Sequence, residues 1–364
     1  MMKGWKVTSI TMLLLAGSGP SNASELVFDA DFNNTPDWSN EEVAQRLRYP
    51  GDTLDPSAAA NIPGNFDSYY TSEWWHPNGS SGKAPVPGSK PVASIDGSQS
   101  RQAGGKSFVV YDESYGTPGG WGADAQLGKD LPGVYDELWV EFYIKFQQDW
   151  VWMDVENGSG QTITKLFRAR YVPENYKEET RYDFFGVGGR AKAPVYMLDL
   201  KSWTKPDSSI ARLTPFIRGF TPQELIGVDE HYFLKEYEEE TSIYQGNKDS
   251  LSFAEVFQTG DWVKVNIRIK MDSAPGAGDG VEEVWINDVL EKKRTDIPFR
   301  REGEGQGVGF NWISIGGNTH NYPYPDEAQH EQWYAVTDLK VWNGKPSTES
   351  AEVKPNPPSD LDVR

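Results

Sequence analysis

The chain has 364 residues, no cysteine and a formal net charge of −19. Lacking cysteine, it has no disulfides, no thiolate nucleophile and no Cys-based zinc site, and so negative a surface repels nucleic acid and anionic membrane. Aromatics at 13 %, with 14 Trp and 36 Gly, fit a β-rich, loop-rich protein better than a disordered one.

The first residues read as an export signal. Lys3 and Lys6 precede a mostly apolar run from Val7 to Ala16, and Ser21-Asn22-Ala23 forms a small-residue cleavage site. The apolar run is too short to span a bilayer, and no later stretch reaches spanning length. Residues 1–23 are therefore expected to be a signal peptide, with the mature chain secreted or periplasmic. Residues 24–345 read as a single domain and 346–364, polar and proline-containing, as a disordered tail or linker.

Ser24 to Asn33 reads as a first strand, and Asn40 to Leu47 as a short capped helix. Residues 49–105 are rich in Pro, Gly, Ser and Asn and predict long loops with at most short strands. Within them, Tyr69, Tyr70, Trp74, Trp75 and His76 either form a stacking platform or pack down onto the domain. Lys106 to Tyr111 is a strand, and Thr117 to Gly122 a turn. Glu137 to Phe146 then alternates strictly: Leu138, Val140, Phe142, Ile144 and Phe146 share one face, and Trp139, Glu141, Tyr143 and Lys145 the other. Period two over ten residues predicts a strand with one face in a core.

Ile163 to Tyr171 is a further strand, with Arg168 and Arg170 on one face as forks suited to carboxylate or sulfate. Strict alternation sets Lys165 on the opposite face from Arg168, unless a bulge intervenes. Tyr182 to Val187 and Ala193 to Leu200 are predicted strands. The box Thr221-Pro222-Gln-Glu224 starts a helix, part of a helical insertion near 221–257 that ends with a weaker cap at Ser252. Trp262 to Met271 points Val263, Val265, Ile267 and Ile269 inward and Lys264, Asn266, Arg268 and Lys270 outward. Asp279-Gly280 turns the chain, Val281 to Leu290 returns it, and Val308 to Ile315 and Trp333 to Trp342 complete the set. Strands of this kind with only minor helices predict an all-β, two-sheet antiparallel sandwich with long loops.

Three stretches together resemble the concanavalin A-like jelly rolls of polysaccharide lyases, especially the alginate and glucuronan lyase-like groups. They are Glu137 to Phe146 with the later Lys165-Leu166; Gly278-Asp-Gly-Val-Glu-Glu-Val-Trp-Ile-Asn287 with Asp296-Ile-Pro-Phe-Arg300; and Ile313-Ser-Ile-Gly-Gly317 with Trp333 to Trp342. The resemblance spans residues 106–345. It implies a jelly-roll fold and β-elimination from an acidic, uronate-containing glycan, and it assigns a family counterpart to Lys165. The alternative is a lectin-like module that binds glycan without cleaving it. The paired-carboxylate strand of laminarinase-type glycosidases, Glu-x-Asp-x-x-Glu, is absent from the sequence.

Elimination needs a cation or amide to neutralise the uronate carboxylate, a base for the proton at C5 and an acid for the leaving oxygen. Lys165, Arg168, Tyr143, Lys145 and His320 are the catalytic candidates. Trp139, Arg170, Asn266 and Arg268 are substrate-binding candidates on strands, and Tyr322, Tyr324, Trp74 and Trp75 in loops. The four histidines show no metal-binding spacing, and no motif requires a cofactor. A structural calcium held by Asp29 or Asp31 with Asp338, where first and last strands can meet, stays open. The expected partner is an acidic polysaccharide bound by a monomer, with no nucleic acid and no membrane span.

Overall fold

A computed structural model of the protein describes residues 24–40, 62–71, 91–113, 120–150, 162–172, 194–202, 212–218, 253–300, 307–321 and 331–346. Its strands, in chain order, are β1 (Leu26–Ala30), β2 (Trp38–Ser39), β3 (Ser68–Thr71), β4 (Ala93–Asp96), β5 (Ser107–Glu113), β6 (Gly120–Tyr135) and β7 (Glu137–Phe146). After β7 come β8 (Thr162–Arg170), β9 (Val195–Ser202), β10 (Arg212–Arg218), β11 (Val263–Lys270), β12 (Gly280–Ile286), β13 (Val289–Ile297), β14 (Phe310–Asn321) and β15 (Glu331–Trp342). Among the described residues one short helix, α1 (Phe253–Val256), lies just before β11.

These strands form two antiparallel sheets, as the alternating patterns predict, consistent with a jelly-roll sandwich. The nine-stranded sheet runs β13-β12-β11-β7-β15-β5-β4-β2, with β1 also paired to β15; the six-stranded sheet runs β10-β9-β8-β14-β6-β3. β15 holds β5 along Glu331–Val336 and β1 along Leu339–Trp342, so the first and last strands meet.

The apolar face of β7 is the middle of the core: Leu138, Val140, Phe142, Ile144 and Phe146 are all fully buried. Opposite them, the six-stranded sheet contributes Leu127, Phe167, Ala169, Tyr196, Leu198, Ile313 and Ile315 to the same cluster. Phe142 of one sheet stacks on Phe167 of the other, with ring centroids 6.2 Å apart. Each such side chain contributes roughly 1.5–3 kcal/mol through burial, so a sandwich without disulfides is held by this layer.

The structure corrects the sequence reading in three places. Gly120 to Gly122, predicted to be a turn, opens the 16-residue strand β6. Glycines, aspartates and a proline hide that strand from any periodicity count. Gly128 is needed there: a Cβ at this position would stand 2.7 Å from the Trp312 ring and against the Ser68 hydroxyl. Second, Val281 to Leu290 is not one strand. Asn287 (φ 48°) and Asp288 (φ 67°) form the two-residue hairpin turn that joins β12 to β13, the geometry in which both central residues take positive φ. Third, β10 carries no pattern that the sequence reading recognised. Of the helical insertion, α1 lies within the described residues. Residues 40–47 beyond Asn40, 182–187 and 221–252 lie outside them.

Candidate functional site

On the six-stranded sheet, the β-bulge on which the candidate site depends is present. Lys165 pairs with Asp199 and Phe167 with Leu198, so two residues of β8 oppose one of β9. Leu166 and Phe167 both enter the core. The alternation is thereby reset, and Lys165, Arg168 and Arg170 fall on one side, away from the core. Their cross-strand partners are Asp199, Met197 and Val195 on β9, with Ser314 and Trp312 beside Arg168 and Arg170 on β14.

The row is tightly enclosed. Arg168 is 2 % exposed and Arg170 is fully buried; Gln126, Asp199, Trp312 and Ser314 are buried with them. Lys165 is the partly exposed member. The Nη1 of Arg168 donates to Oε1 of Gln126 on β6, and the guanidinium of Arg170 lies 4.0 Å from the centre of the Trp312 ring. Glycine makes the close approach workable. A Cβ on Gly317 would sit 2.8 Å from the Cβ of Lys165 and 3.0 Å from Nη2 of Arg168. Its neighbour Gly316 takes φ +81°, where an L side chain is strained. The Gly-Gly pair that ends the regular part of β14 thus makes room for the two cations of β8.

The other strand candidates are on the opposite side of the molecule. Trp139, Tyr143, Lys145, Asn266 and Arg268 project from the outer face of the nine-stranded sheet, because the other face of β7 and β11 is the core. The structure therefore does not bring these candidates together with Lys165 and Arg168: the whole apolar layer separates the two groups. Trp139 is only 8 % exposed and packs against Trp285 at 4.7 Å, with the ammonium of Lys345 over its ring at 5.4 Å. Tyr143 lies under the guanidinium of Arg101, 3.9 Å away. Asn266 Nδ2 donates to Glu141 at 2.9 Å. Arg268 bonds Glu137 at 2.8 Å and Glu283 at 3.1 Å.

Burial works against the charge of Arg268, but the bonds to Glu137 and Glu283 outweigh it and raise its pKa. Lys264 behaves in the same way through Asp288 and Glu141. Lys264 and Arg268 are thus already matched within this face.

The backbone of His320 pairs with Trp121 at the end of β14, where that strand runs against β6. Tyr322, Tyr324, Trp74 and Trp75 lie outside the described residues. Tyr69, the first ring of the proposed platform, is fully buried and meets Trp38 edge-on at 4.9 Å. Around the meeting of β1 and β15, Asp338 is held by Arg101 at 2.5 Å. Burial raises the pKa of Asp29, and the charges of Asp31 and Asp338 raise it further against Lys340. Among the described residues no group of three or more His, Asp or Glu side chains is placed to hold a metal ion. No described helix is long and apolar enough to cross a membrane.

Sequence reasoning missed Gln126, Asp199, Trp312 and Ser314. Asp199 and Ser314 were within reach, since each sits between inward-pointing apolar residues of a predicted strand. Gln126 was not, because β6 itself was unread.

No family model matches the chain, and no curated protein matches it. Among solved structures the chain is similar to an alginate lyase in complex with an alginate tetrasaccharide. That likeness has 11 % identity and a TM-score of 0.45, over 86 % of this chain and 95 % of that one. An endo-β-1,4-glucuronan lyase from the fungus Trichoderma reesei matches at 13 % identity and a TM-score of 0.40, over 68 % of this chain and 85 % of that one. The catalytic domain of a laminarinase from Thermotoga petrophila matches at 11 % identity and a TM-score of 0.40, over 88 % and 97 %. At such identities none of their residues assigns a role here.

Proposed function

We propose that the chain is an exported carbohydrate-active enzyme, a polysaccharide lyase that cleaves a uronate-containing glycan on the outer face of the six-stranded sheet. One observation carries this reading: the bulge in β8 sets an ammonium, Lys165, on the same side as two guanidiniums. Cations grouped this way on a chain of net charge −19 suit an acidic polymer. The sugar approaches from the Lys165 end, where the row is partly exposed. Its carboxylate competes with Gln126 for Arg168, and the guanidinium withdraws charge so that the proton at C5 becomes acidic. Lys165, after its ammonium has given up one proton to solvent, takes that proton. The C5–H electron pair forms the C4–C5 double bond, the C4–O bond breaks, and the ammonium of Lys165 returns the proton to the departing oxygen. Arg170, stacked on Trp312, positions the row and fixes its charge.

A second reading has an observation of its own. The near-complete burial of Arg168 and Arg170 suits a lectin-like module, in which the guanidiniums shape the face and only bind. Purified protein incubated with polymannuronate, polyguluronate and glucuronan separates the two readings. The ultraviolet absorbance of the unsaturated uronate product is expected with at least one polymer, and its loss in Lys165→Ala and Arg168→Ala with the fold intact. Binding without that absorbance establishes the lectin, reducing ends without it establish a hydrolase, and full activity in both variants removes the site.

A further inference from the structure

The outer face of the nine-stranded sheet carries an aromatic row that the lyase reading does not use. Trp285 on β12, Trp139 on β7 and Trp342 on β15 all project from it. Trp342 stands directly opposite Trp139 in register, and Trp285 reaches Trp139 across β11 to a centroid distance of 4.7 Å. Trp139, 8 % exposed, is the wedge; Trp285 and Trp342 on either side of it are partly exposed. From β12 to β15 the row crosses three inter-strand spacings, roughly 14 Å. Leu26, 45 % exposed, extends it beside Trp342 on β1.

The charges around this row decide what it can receive. Lys264 meets Glu141 at 3.1 Å, Arg268 meets Glu137 and Glu283, and Lys293 meets Glu283 at 2.8 Å. Lys264, Arg268 and Lys293 are each bonded to a carboxylate, so these three cations beside the indoles are not free to hold a polyanion, and Lys345 lies over the Trp139 ring. Carboxylates and ammonium groups fixed beside indoles are hydrogen-bonding partners for hydroxyls, while the rings stack on the apolar faces of sugars.

From these features we infer that the nine-stranded sheet is a second glycan-binding face, separate from the cationic row and selective for a neutral polysaccharide strand laid across Trp285 and Trp342. It anchors the protein to uncharged polymer while the opposite sheet handles the acidic one. The inference does not depend on the lyase reading, because it concerns binding alone and other residues.

Affinity electrophoresis of the mature chain in gels containing laminarin, glucomannan or alginate tests it. The wild type is expected to be retarded by at least one neutral polymer. Trp285→Ala and Trp342→Ala should each weaken that retardation about five-fold or more and leave retardation by alginate unchanged, whereas Arg168→Ala should spare the neutral polymer. Should an alanine variant fail to fold, wild-type tryptophan emission serves instead: bound neutral oligosaccharide must reduce its quenching by acrylamide. Free migration of the wild type in every neutral gel overturns the inference, and so does retardation that survives the double variant or is abolished by Arg168→Ala. Dimerisation that is lost in Trp285→Ala also overturns it, by making the face a contact between two copies.

Discussion

On the nine-stranded sheet, Lys264, Arg268 and Lys293 each meet a carboxylate at 2.8–3.1 Å while staying open to solvent on one side. On the six-stranded sheet, Arg168 meets the amide of Gln126 and Arg170 the face of an indole, and both are shut away from solvent. The difference is one of cost. A half-exposed ion pair gives up little hydration and gains little, whereas an enclosed guanidinium loses most of its hydration and must recover that loss through bonds and neighbouring charge. The fold keeps two of them adjacent and uses a bulge and a Gly-Gly pair to fit Lys165 beside them.

The largest effect expected from this contrast is kinetic. If the enclosed row performs elimination, Arg168→Ala removes the group that stabilises charge at the carboxylate, and turnover should fall by about a hundred- to a thousand-fold. Arg268→Ala, on the other face, should leave turnover within about two-fold. Parallel rates of product formation on the responsive polymer check the pair, and equal losses in both would erase the functional distinction between the faces.

Between the two faces lies a carboxylate that neither uses. Glu282 of β12 points into the core beside Ile269, its partner on β11, and is fully buried. The hydroxyl of Tyr196 faces it from β9, close enough to interact without closing a hydrogen bond of ordinary geometry. Burial pushes the Glu282 pKa from 4.5 to about 7, against the attraction of Lys292 and Arg294. The folded protein therefore holds a proton that the unfolded chain has already lost between those two values. Stability is full below about pH 4.5, declines as pH rises and has lost this contribution above about pH 7, a change of about 3 kcal/mol. Glu282→Gln keeps the shape and removes the titration. Urea unfolding at pH 5 and pH 8 should show the wild type losing stability between them and the variant losing much less; equal slopes would show that Glu282 is charged in both states.

How much of this was legible in the sequence follows from what each strand does with its two faces. β7 sends one face into the core and the other outward, so its period is two and its boundaries were read to the residue. β11 was read for the same reason. β6 lies in the same sandwich but stayed hidden, because Gly128 must be small to admit Trp312 and Ser68, and Gln126 must be polar to receive Arg168. The bulge in β8 was recognised only as a condition. Alternation shows that Lys165 and Arg168 disagree in phase, but not whether the backbone corrects it. The site was partly legible for a related reason: a candidate's chemistry is written in its residue type, and its sheet is not. Trp139, Tyr143 and Arg268 have suitable chemistry and sit on the far side of the core from Lys165.

Gly128 offers a sharper structural test of the six-stranded sheet. A methyl group there would collide with the Trp312 ring and the Ser68 hydroxyl, and Trp312 cannot retreat without disturbing Arg170, which lies on its face. Gly128→Ala should cost about 1–3 kcal/mol through overpacking, read as a shift in the urea midpoint at unchanged slope. Gly278→Ala is the matched control for steric crowding, since nothing lies within 4 Å of a Cβ there. Gly278 takes φ +61°, so any loss it shows measures backbone strain alone. A Gly128 variant as stable as the wild type would mean that the sheet is loosely packed under the cationic row.

The smallest effect belongs to the ion pairs of the nine-stranded sheet. Burial opposes the charge of Glu283, yet the bonds from Lys293 and Arg268 overcome it and lower its pKa, so the carboxylate is shared between two cations. Removing one of them leaves the other. Lys293→Ala should therefore cost less than about 1 kcal/mol, and the cost should shrink further in about 1 M salt, where the screening length falls to roughly 3 Å. Lys293 is the more exposed of the two cations, with half of its side chain open to solvent, and removing it does not strand a buried charge. Arg268 is three-quarters covered and holds Glu137 as well, so Arg268→Ala should cost more than Lys293→Ala and depend less on salt. Reversal of that order would mean that the lattice is held by Lys293 at its rim rather than by Arg268 between its two carboxylates.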